Sequence, residues 1–318
     1  MPDPAISICI PVRNGAEWID EAIDSALGQT RTDFEVLVVE NASTDGTGDV
    51  VRRRASEDPR IRLETFEVSV SAPANHNRAI RLSRGDLVKF LHADDVLYPQ
   101  CLERMAAILE AHPEVGFVFA RRHILLDDPN DPESAAWARL YGSLHDRFTS
   151  LHEINSGRDL LEQYLPVFGD PQYQNWIAEP SAVMVRRACF ERVGAFTERL
   201  RQSWDLELWL RIFAVFDVGF VDEPLGAFRF HPQSLTSANA RARADWLDLL
   251  WLYEGLLSEP ALGPYHGMIR GFRRQQVRQL LRRQLGRLRR GERDLRPLGS
   301  YITHRAGRRF GRSKSSEG

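Results

Sequence analysis

Short apolar runs alternate with helix-spaced apolar positions along the first third of the chain. Residues 5–11, 34–39, 61–66 and 85–91 are runs of strand type, rich in Ile, Val, Leu and Phe. Between them, residues 15–27 place Trp18, Ile19, Ala22, Ile23, Ala26 and Leu27 at helical spacing. Residues 47–55 predict a second helix broken near Asp58-Pro59, residues 74–82 a third stopped at Ser83-Arg84-Gly85, and residues 99–111 a fourth. The alternation predicts an α/β fold with a doubly wound, mainly parallel sheet flanked by helices. Its ligand should lie across the carboxyl ends of the strands.

Those strand ends are more polar than a structural sheet needs. The first runs into Pro11-Val12-Arg13-Asn14-Gly15, the second into Glu40-Asn41-Ala42-Ser43-Thr44-Asp45-Gly46 and the fourth into His92-Ala93-Asp94-Asp95. Adjacent carboxylates repel unless something positive neutralises them, and a hard divalent cation holding a diphosphate would do so. A solvated Asp capping the next helix, with Pro99 in its first turn, fits the same pattern. Glu40 is placed to accept from an imide N–H or from ribose hydroxyls, whereas Ser43, Thr44 and Asp45 read better as helix caps. Arg13-Asn14-Gly15 lacks the G-x-G-x-x-G spacing, which argues against an NAD-type site.

Four blocks in order carry a resemblance: residues 8–14, residues 38–46, Asn77-Arg78-Ala79-Ile80 before Gly85-Asp86, and Phe90-Leu91-His92-Ala93-Asp94-Asp95. Together they resemble family 2 glycosyltransferases of the GT-A fold, over roughly residues 5–235. The resemblance implies transfer of a sugar from a nucleotide-diphosphate sugar to an acceptor hydroxyl, with Mn²⁺ or Mg²⁺. It assigns donor binding to Pro11, Arg13, Asn14, Glu40, Asn77, Asp94 and Glu179, and the metal to Asp95 with Asp94. Two positions depart from the family pattern. Glu40 stands where Asp is commoner, and His92 where many relatives have Asp.

The second half predicts the acceptor side. Residues 115–120 read as a strand, and residues 127–132 as a breaker-rich loop. The stretch to about residue 174, without counterpart in the shared blocks, suits an acceptor wall or lid. Residues 178–187 resemble the family's segment along the donor sugar. In Trp204-Asp205-Leu206-Glu207-Leu208-Trp209-Leu210-Arg211, Leu206, Leu208, Trp209 and Ile212 predict a buried helix face, and Asp205 lies in the first turn. Read alone, Asp205 is a helix cap; the resemblance makes it the catalytic base, although Trp204 replaces the family's usual Glu. Arg211 reads as a structural ion-pair partner. His231, in Phe228-Arg229-Phe230-His231, reads alone as structural, while the resemblance brings it to the metal or diphosphate.

Charge changes the picture only at the end of the chain. The totals, 42 Lys+Arg against 44 Asp+Glu, conceal residues 265–318, where 16 basic and 3 acidic residues give +13 and leave −15 on the rest. Residues 246–257 and 268–288 have helical spacing, the latter with Ile269, Phe272, Val277, Leu280, Leu281, Leu285 and Leu288 along one side and arginines around the rest. Such a helix suits an anionic bilayer, RNA or the acidic body itself. Cys9, Cys101 and Cys189 are isolated and read as small buried hydrophobes. No apolar stretch approaches a membrane span, and a cytoplasmic protein is expected, peripheral at the inner face of the cell membrane if the helix binds lipid.

The chain thus divides into residues 1–239, a glycosyltransferase domain with a nucleotide-binding half 1–111 and an acceptor half 112–239, a helical extension 240–298 and a disordered basic tail 299–318. The expected activity is an inverting, metal-assisted hexosyl or deoxyhexosyl transfer to a polysaccharide, a glycolipid or another carbohydrate or lipid-linked acceptor, by a monomer or homodimer and without nucleic acid. The rivals are an inactive nucleotide-sugar-binding or scaffold protein, suggested by His92 and Trp204, and an Arg-rich RNA-binding protein resting on the tail.

Overall fold

A computed structural model describes residues 4–168, 175–231, 233–234 and 245–289. The first half follows the predicted alternation: β1 (Ile6–Val12), α1 (Ile19–Leu27), β2 (Phe34–Asn41), α2 (Thr47–Glu57), β3 (Ile61–Phe66), α3 (Ala72–Leu82), β4 (Leu87–Phe90), the short β5 (Val96–Leu97) and α4 (Cys101–Ala111). Then come β6 (Val115–Leu126), α5 (Pro132–Tyr141), β7 (Ile154–Asn155), α6 (Gly157–Tyr164), β8 (Val183–Arg186), α7 (Arg187–Val193), α8 (Trp204–Phe213) and β9 (Asp217–Phe230). Two helices close the described chain, α9 (Asp245–Leu256) and α10 (His266–Arg289).

The strands form one sheet in the order β3-β2-β1-β4-β8-β6-β9-β5, with β7 added on β9. β1 is parallel to both β2 and β4, whereas β8 runs antiparallel to β4 and to β6. The chain therefore leaves β1 toward one edge of the sheet and returns on its other side as β4. That reversal opens a crevice at the carboxyl ends of β1 and β4.

Alternation along each strand builds two apolar layers. Ile8, Ile10, Val36 and Val38 face one layer with Ile19, Ile23, Val51, Leu102 and Met105 from α1, α2 and α4. Cys9, Leu37, Val39, Val88 and Phe90 face the other, with Ala79, Leu161, Phe190, Leu206 and Trp209 from α3, α6, α7 and α8. All three cysteines are buried and free, as small hydrophobes would be.

The stretch expected to be a loop-like wall holds two helices with their own caps: Asp131 accepts from the Ser134 N–H and Ser156 from the Asp159 N–H. β9 spans Asp217–Phe230, and the polar Asp222-Glu223-Pro224 hides its first half in the sequence pattern. The predicted disordered tail, residues 299–318, and the Leu288 side chain lie outside the described residues.

The C-terminal helices pack on the catalytic half. Leu252, Tyr253, Leu256 and Ile269 join the same apolar layer as α8, and the Asp248 carboxylate accepts the backbone N–H groups of Arg201 and Gln202 just before α8. On α8, Glu207 and Arg211 form the expected structural ion pair, buried and 2.8 Å apart. Gly255 lies directly over it: a Cβ there would stand 2.5 Å from Glu207 Oε1. That oxygen cannot swing aside without leaving Arg211, so Gly255→Ala should destabilise the fold by about 1–3 kcal/mol, the usual cost of overpacking. Urea or thermal unfolding checks this, and an unchanged midpoint would show that α9 is not seated on α8.

Candidate active site

The loops after β1 and β2 are sewn together. Asn14 N–H donates to Ser43 Oγ at 2.9 Å, Thr44 N–H to Asn14 Oδ1 at 2.9 Å, Gly15 N–H to Thr47 Oγ1 at 2.9 Å and Ala16 N–H to Asp45 Oδ2 at 3.0 Å. The residues read as caps of α2 are thus chiefly cross-loop ties. Only Asp45 also accepts from the first helical N–H, that of Thr47, because Gly46 occupies the cap position with φ 90°. Glu40 ends β2 buried, accepting from the Ser43 N–H. Pro11 and the exposed Arg13 lie at the end of β1.

Asn77, expected at the donor, is engaged within the fold. Its Nδ2 donates to the Phe196 carbonyl at 2.9 Å and to Glu198 Oε1 at 3.1 Å, while its Oδ1 accepts from the Phe196 N–H at 2.9 Å. A buried amide with both ends engaged by the chain braces the 194–198 loop.

Beyond β4 the chain delivers His92, Asp94 and Asp95, each offering one ligand atom within 4.8 Å of the others. Asp95 is 1% exposed; Oδ1 accepts the Arg229 N–H at 2.9 Å, and Oδ2 has no hydrogen-bond partner among the described residues. Burial, then the charges of Asp94 and Glu179, push its carboxyl well above the usual range. Burial acts on Asp94 in the same sense. There it is outweighed by the hydrogen bond from His231 and by the neighbouring imidazoles, so Asp94 stays below the usual range. His231 Nε2 lies 3.1 Å from Asp94 Oδ2, and its ring packs 4.2 Å from that of Trp18. Two acids in sequence, one favoured ionised and one favoured protonated, with a buried oxygen lacking a donor, fit a divalent cation in the cluster.

Asp205 opens α8, with Oδ1 accepting the Leu206 N–H at 2.8 Å and Oδ2 within 3.4 Å of Asn175 Nδ2. Burial, reinforced by the charge of Glu179 and opposed by these hydrogen bonds, raises its pKa to about 6. The same Glu179 carboxylate also raises Asp95, so one acid lies within electrostatic reach of both ends of the site. It is held by Arg122, whose Nε reaches both carboxylate oxygens at 2.8 and 3.0 Å.

Three basic side chains that support this edge are not visible in the apolar pattern. Arg122 interrupts β6. Arg229 donates through Nε to the Asp94 carbonyl at 2.9 Å. Lys89, fully buried in β4, donates to the carbonyls of Phe90 and Ser181. The buried Lys89 and the Arg121-Arg122 pair were signals in the sequence, as charges inside otherwise apolar strands. Among the described residues the non-glycine residues with positive φ are Asn14, Ala42, Ala178 and Ser203, and each adjoins a candidate site segment. Backbone strain of this kind persists where surrounding structure enforces it and gathers at functional sites.

The chain resembles known proteins in sequence and in fold. The family model described as glycosyl transferase family 2 matches residues 7–157. An uncharacterized protein of Mycobacterium tuberculosis (strain CDC 1551 / Oshkosh) is 32% identical over 257 residues, covering 81% of this chain and 77% of the relative. An uncharacterized glycosyltransferase of Rickettsia prowazekii (strain Madrid E) is 26% identical over 246 residues, covering 77% and 70%. Among solved structures, S. aureus TarS in complex with UDP-GlcNAc matches with a TM-score of 0.61 at 15% identity, covering 86% of this chain and 71% of that one. Mannosyltransferase PcManGT from Pyrobaculum calidifontis, in complex with GDP-Man and Mn²⁺, matches with a TM-score of 0.56 at 18% identity, covering 96% and 80%. At those identities the structures speak to the fold, and the sequence relatives to the family: the chain belongs to glycosyltransferase family 2 and is a glycosyltransferase built on the GT-A fold.

Proposed function

We propose that this glycosyltransferase moves a sugar from a nucleoside-diphosphate sugar to an acceptor hydroxyl with inversion at the anomeric carbon. The observation that carries the reading is the meeting, around Glu179, of a cation-fitting cluster and a carboxylate poised near neutrality. Nucleoside-diphosphate sugars are bound by the structural neighbours TarS and PcManGT, the latter with Mn²⁺. Glu40 with the Pro11–Asn14 loop is the proposed nucleoside end, and Asp94, Asp95 and His231 would hold the cation. A bound divalent cation would neutralise the charge that develops on the leaving diphosphate. Asp205 takes the proton from the acceptor hydroxyl as that oxygen attacks the sugar, and one base without a protein nucleophile gives inversion.

An inactive binding protein fits less well, because it would have no use for a base whose pKa is raised by burial at a cost to stability. RNA binding loses its main support in the packing of α10, whose Ile269 and Leu280 are buried and whose Arg273 pairs with Glu254 at 3.0 Å. The predicted stripe is divided: Phe272 and Val277 also pack on the body, while Leu281 and Leu285 are 42% and 57% exposed beside the exposed Arg274, Arg278 and Arg282. That outer face suits an anionic bilayer and a lipid-linked acceptor. No helix among the described residues is long and apolar enough to cross a membrane.

Asp205→Asn should leave donor affinity intact and lower turnover by about a hundredfold or more, as loss of a positioned base does. In the native enzyme the turnover should rise with pH through about 6. Stability gives an independent check on the same residue. Its folded pKa of about 6 lies above the ordinary 3.8, so ionising it costs more in the folded chain, and its contribution to stability is lost as pH rises from about 4 to 6. At pH 8 the Asn variant should therefore be the more stable protein, by roughly 1–3 kcal/mol, with the gap closing toward pH 4. A variant that turns over normally and is less stable at pH 8 would make Asp205 a simple cap.

Calorimetric titration of UDP and GDP tests the other end of the site. Binding should require Mn²⁺ or Mg²⁺ and be lost in both Asp94→Asn and Asp95→Asn; full affinity in excess EDTA would remove the cation from the mechanism. For α10, co-sedimentation of the full chain with phosphatidylserine vesicles should weaken with salt and with the double change Leu281→Ser, Leu285→Ser. Equal pelleting with neutral vesicles, or none at all, would overturn the lipid reading.

A further inference from the structure

The cation-fitting cluster contains an imidazole, and the chain behind that imidazole determines which of its nitrogens is bare. His76, on α3, is 4% exposed and packed among the rings of Phe90, Phe196 and Trp204 at 5.4, 5.5 and 4.5 Å. Its Nδ1 lies 2.8 Å from the Ala72 carbonyl oxygen. A carbonyl only accepts, so Nδ1 carries the proton, and a neutral ring then presents Nε2 as a lone pair. That lone pair faces His92 Nε2 at 3.2 Å, and two nitrogens at this distance require one proton between them. The proton therefore belongs to His92 Nε2.

The consequence appears on the far side of the His92 ring. Burial keeps the His92 ring neutral, so with Nε2 protonated Nδ1 is bare, and it stands 3.6 Å from Asp95 Oδ2, a buried oxygen with no hydrogen-bond partner among the described residues. The main chain at this position is held as well, since the His92 backbone N–H donates to Ser181 Oγ at 2.9 Å. A lone pair and a buried carboxyl oxygen aimed at one another need a positive charge between them, a proton in the metal-free chain or a cation in the loaded one.

We propose that His92 Nδ1 is a ligand of the cation held by this site, and that His76 is the positioning residue that keeps that nitrogen bare. The proposal rests on the metal role assigned above to Asp94 and Asp95 and adds to it a ligand of different chemistry. An imidazole in the donor set favours borderline cations such as Mn²⁺ over Mg²⁺, which prefers oxygen ligands and retained waters. The fold supplies the arrangement from two separate elements, α3 for the acceptor and the β4 end for the ligand. The aromatic wall around His76 excludes the water that would otherwise let its proton wander.

The metal-free full chain, labelled with ¹⁵N-histidine, reads the tautomer directly: His92, identified by its absence from His92→Asp, should show a protonated Nε2 and an unprotonated Nδ1. Titration of MnCl₂ alone, followed by the EPR signal of free Mn²⁺, with MgCl₂ as competitor, then measures the preference. His92→Asp should lower the Mn²⁺ to Mg²⁺ affinity ratio about tenfold or more and remove nitrogen coupling from the pulsed-EPR spectrum of bound Mn²⁺. His76→Phe, which keeps the aromatic packing but offers no acceptor, should weaken Mn²⁺ by roughly 10–100-fold, the usual effect of losing a ligand's hydrogen-bond partner.

A protonated Nδ1 in the native chain overturns the proposal, whether or not either variant folds. So does Mn²⁺ bound with the same nitrogen coupling and the same preference in His92→Asp. Absence of Mn²⁺ binding to the native chain, with or without UDP, would instead remove the metal reading on which the proposal stands.

Discussion

Four carboxylates, Asp94, Asp95, Glu179 and Asp205, meet in the crevice at the sheet's carboxyl edge, and their mutual repulsion in a region of low water content is the constraint that the surrounding structure answers. Each answer is local and different. Glu179 is paired with Arg122, Asp94 with His231, and Asp95 takes a backbone N–H from Arg229 on one oxygen. Lys89 places a fully buried ammonium behind them; burial lowers its pKa against the pull of Cys101, Asp95 and Glu179. What is left unanswered is one oxygen of Asp95 and the raised pKa of Asp205, and those are the places where a cation and a proton would enter. A structural cluster would have been neutralised throughout; this one is incomplete at two chemically useful positions.

The cost of that arrangement is distributed through the second half of the fold. Ser203 and Ala178 hold left-handed backbone conformations beside Asp205 and Glu179. The fold restrains both neighbourhoods: Asp248 on α9 takes the Arg201 and Gln202 N–H groups before Ser203, while Trp209 and Asn175 donate to the Ala178 carbonyl. The restraint on the base therefore comes partly from the C-terminal helices. Their packing on α8 links the stability of the extension to the geometry of the chemistry.

Much of this was legible in the sequence, for definite reasons. The β1 and β2 ends and the Asp94-Asp95 pair announce themselves because polar residues follow apolar runs, and the fold rule says where such ends must converge. The partner of Asn77 was not legible, because a motif position does not reveal what it touches, and the partner here is the Phe196 backbone, 119 residues away. The α10 stripe misled in part because spacing gives the side of a helix and not what covers it. Ile269 found the body of the protein and Leu280 found α9, whereas Leu281 and Leu285 are exposed. Arg122, Arg229 and Lys89 are legible only as charges in strand-like runs, and their roles depend on carboxylates that the sheet brings from distant segments.

Two of the three departures from the family pattern, His92 and Trp204, looked in the sequence like independent losses. In the fold they meet at His76, whose Nε2 faces His92 and whose ring lies 4.5 Å from that of Trp204. A carboxylate in place of Trp204 would set a negative charge against the His76 ring and favour its cationic form, which carries protons on both nitrogens and offers His92 no acceptor. The indole instead leaves His76 with a carbonyl and one imidazole as its only polar neighbours among the hydrogen bonds described. The two replacements are therefore mutually consistent: the aromatic side chain at the start of the base-bearing helix keeps neutral the histidine that orients the imidazole in the acidic cluster. Read together they are consistent with the proposed change of ligand set, with the proposed base Asp205 beside it.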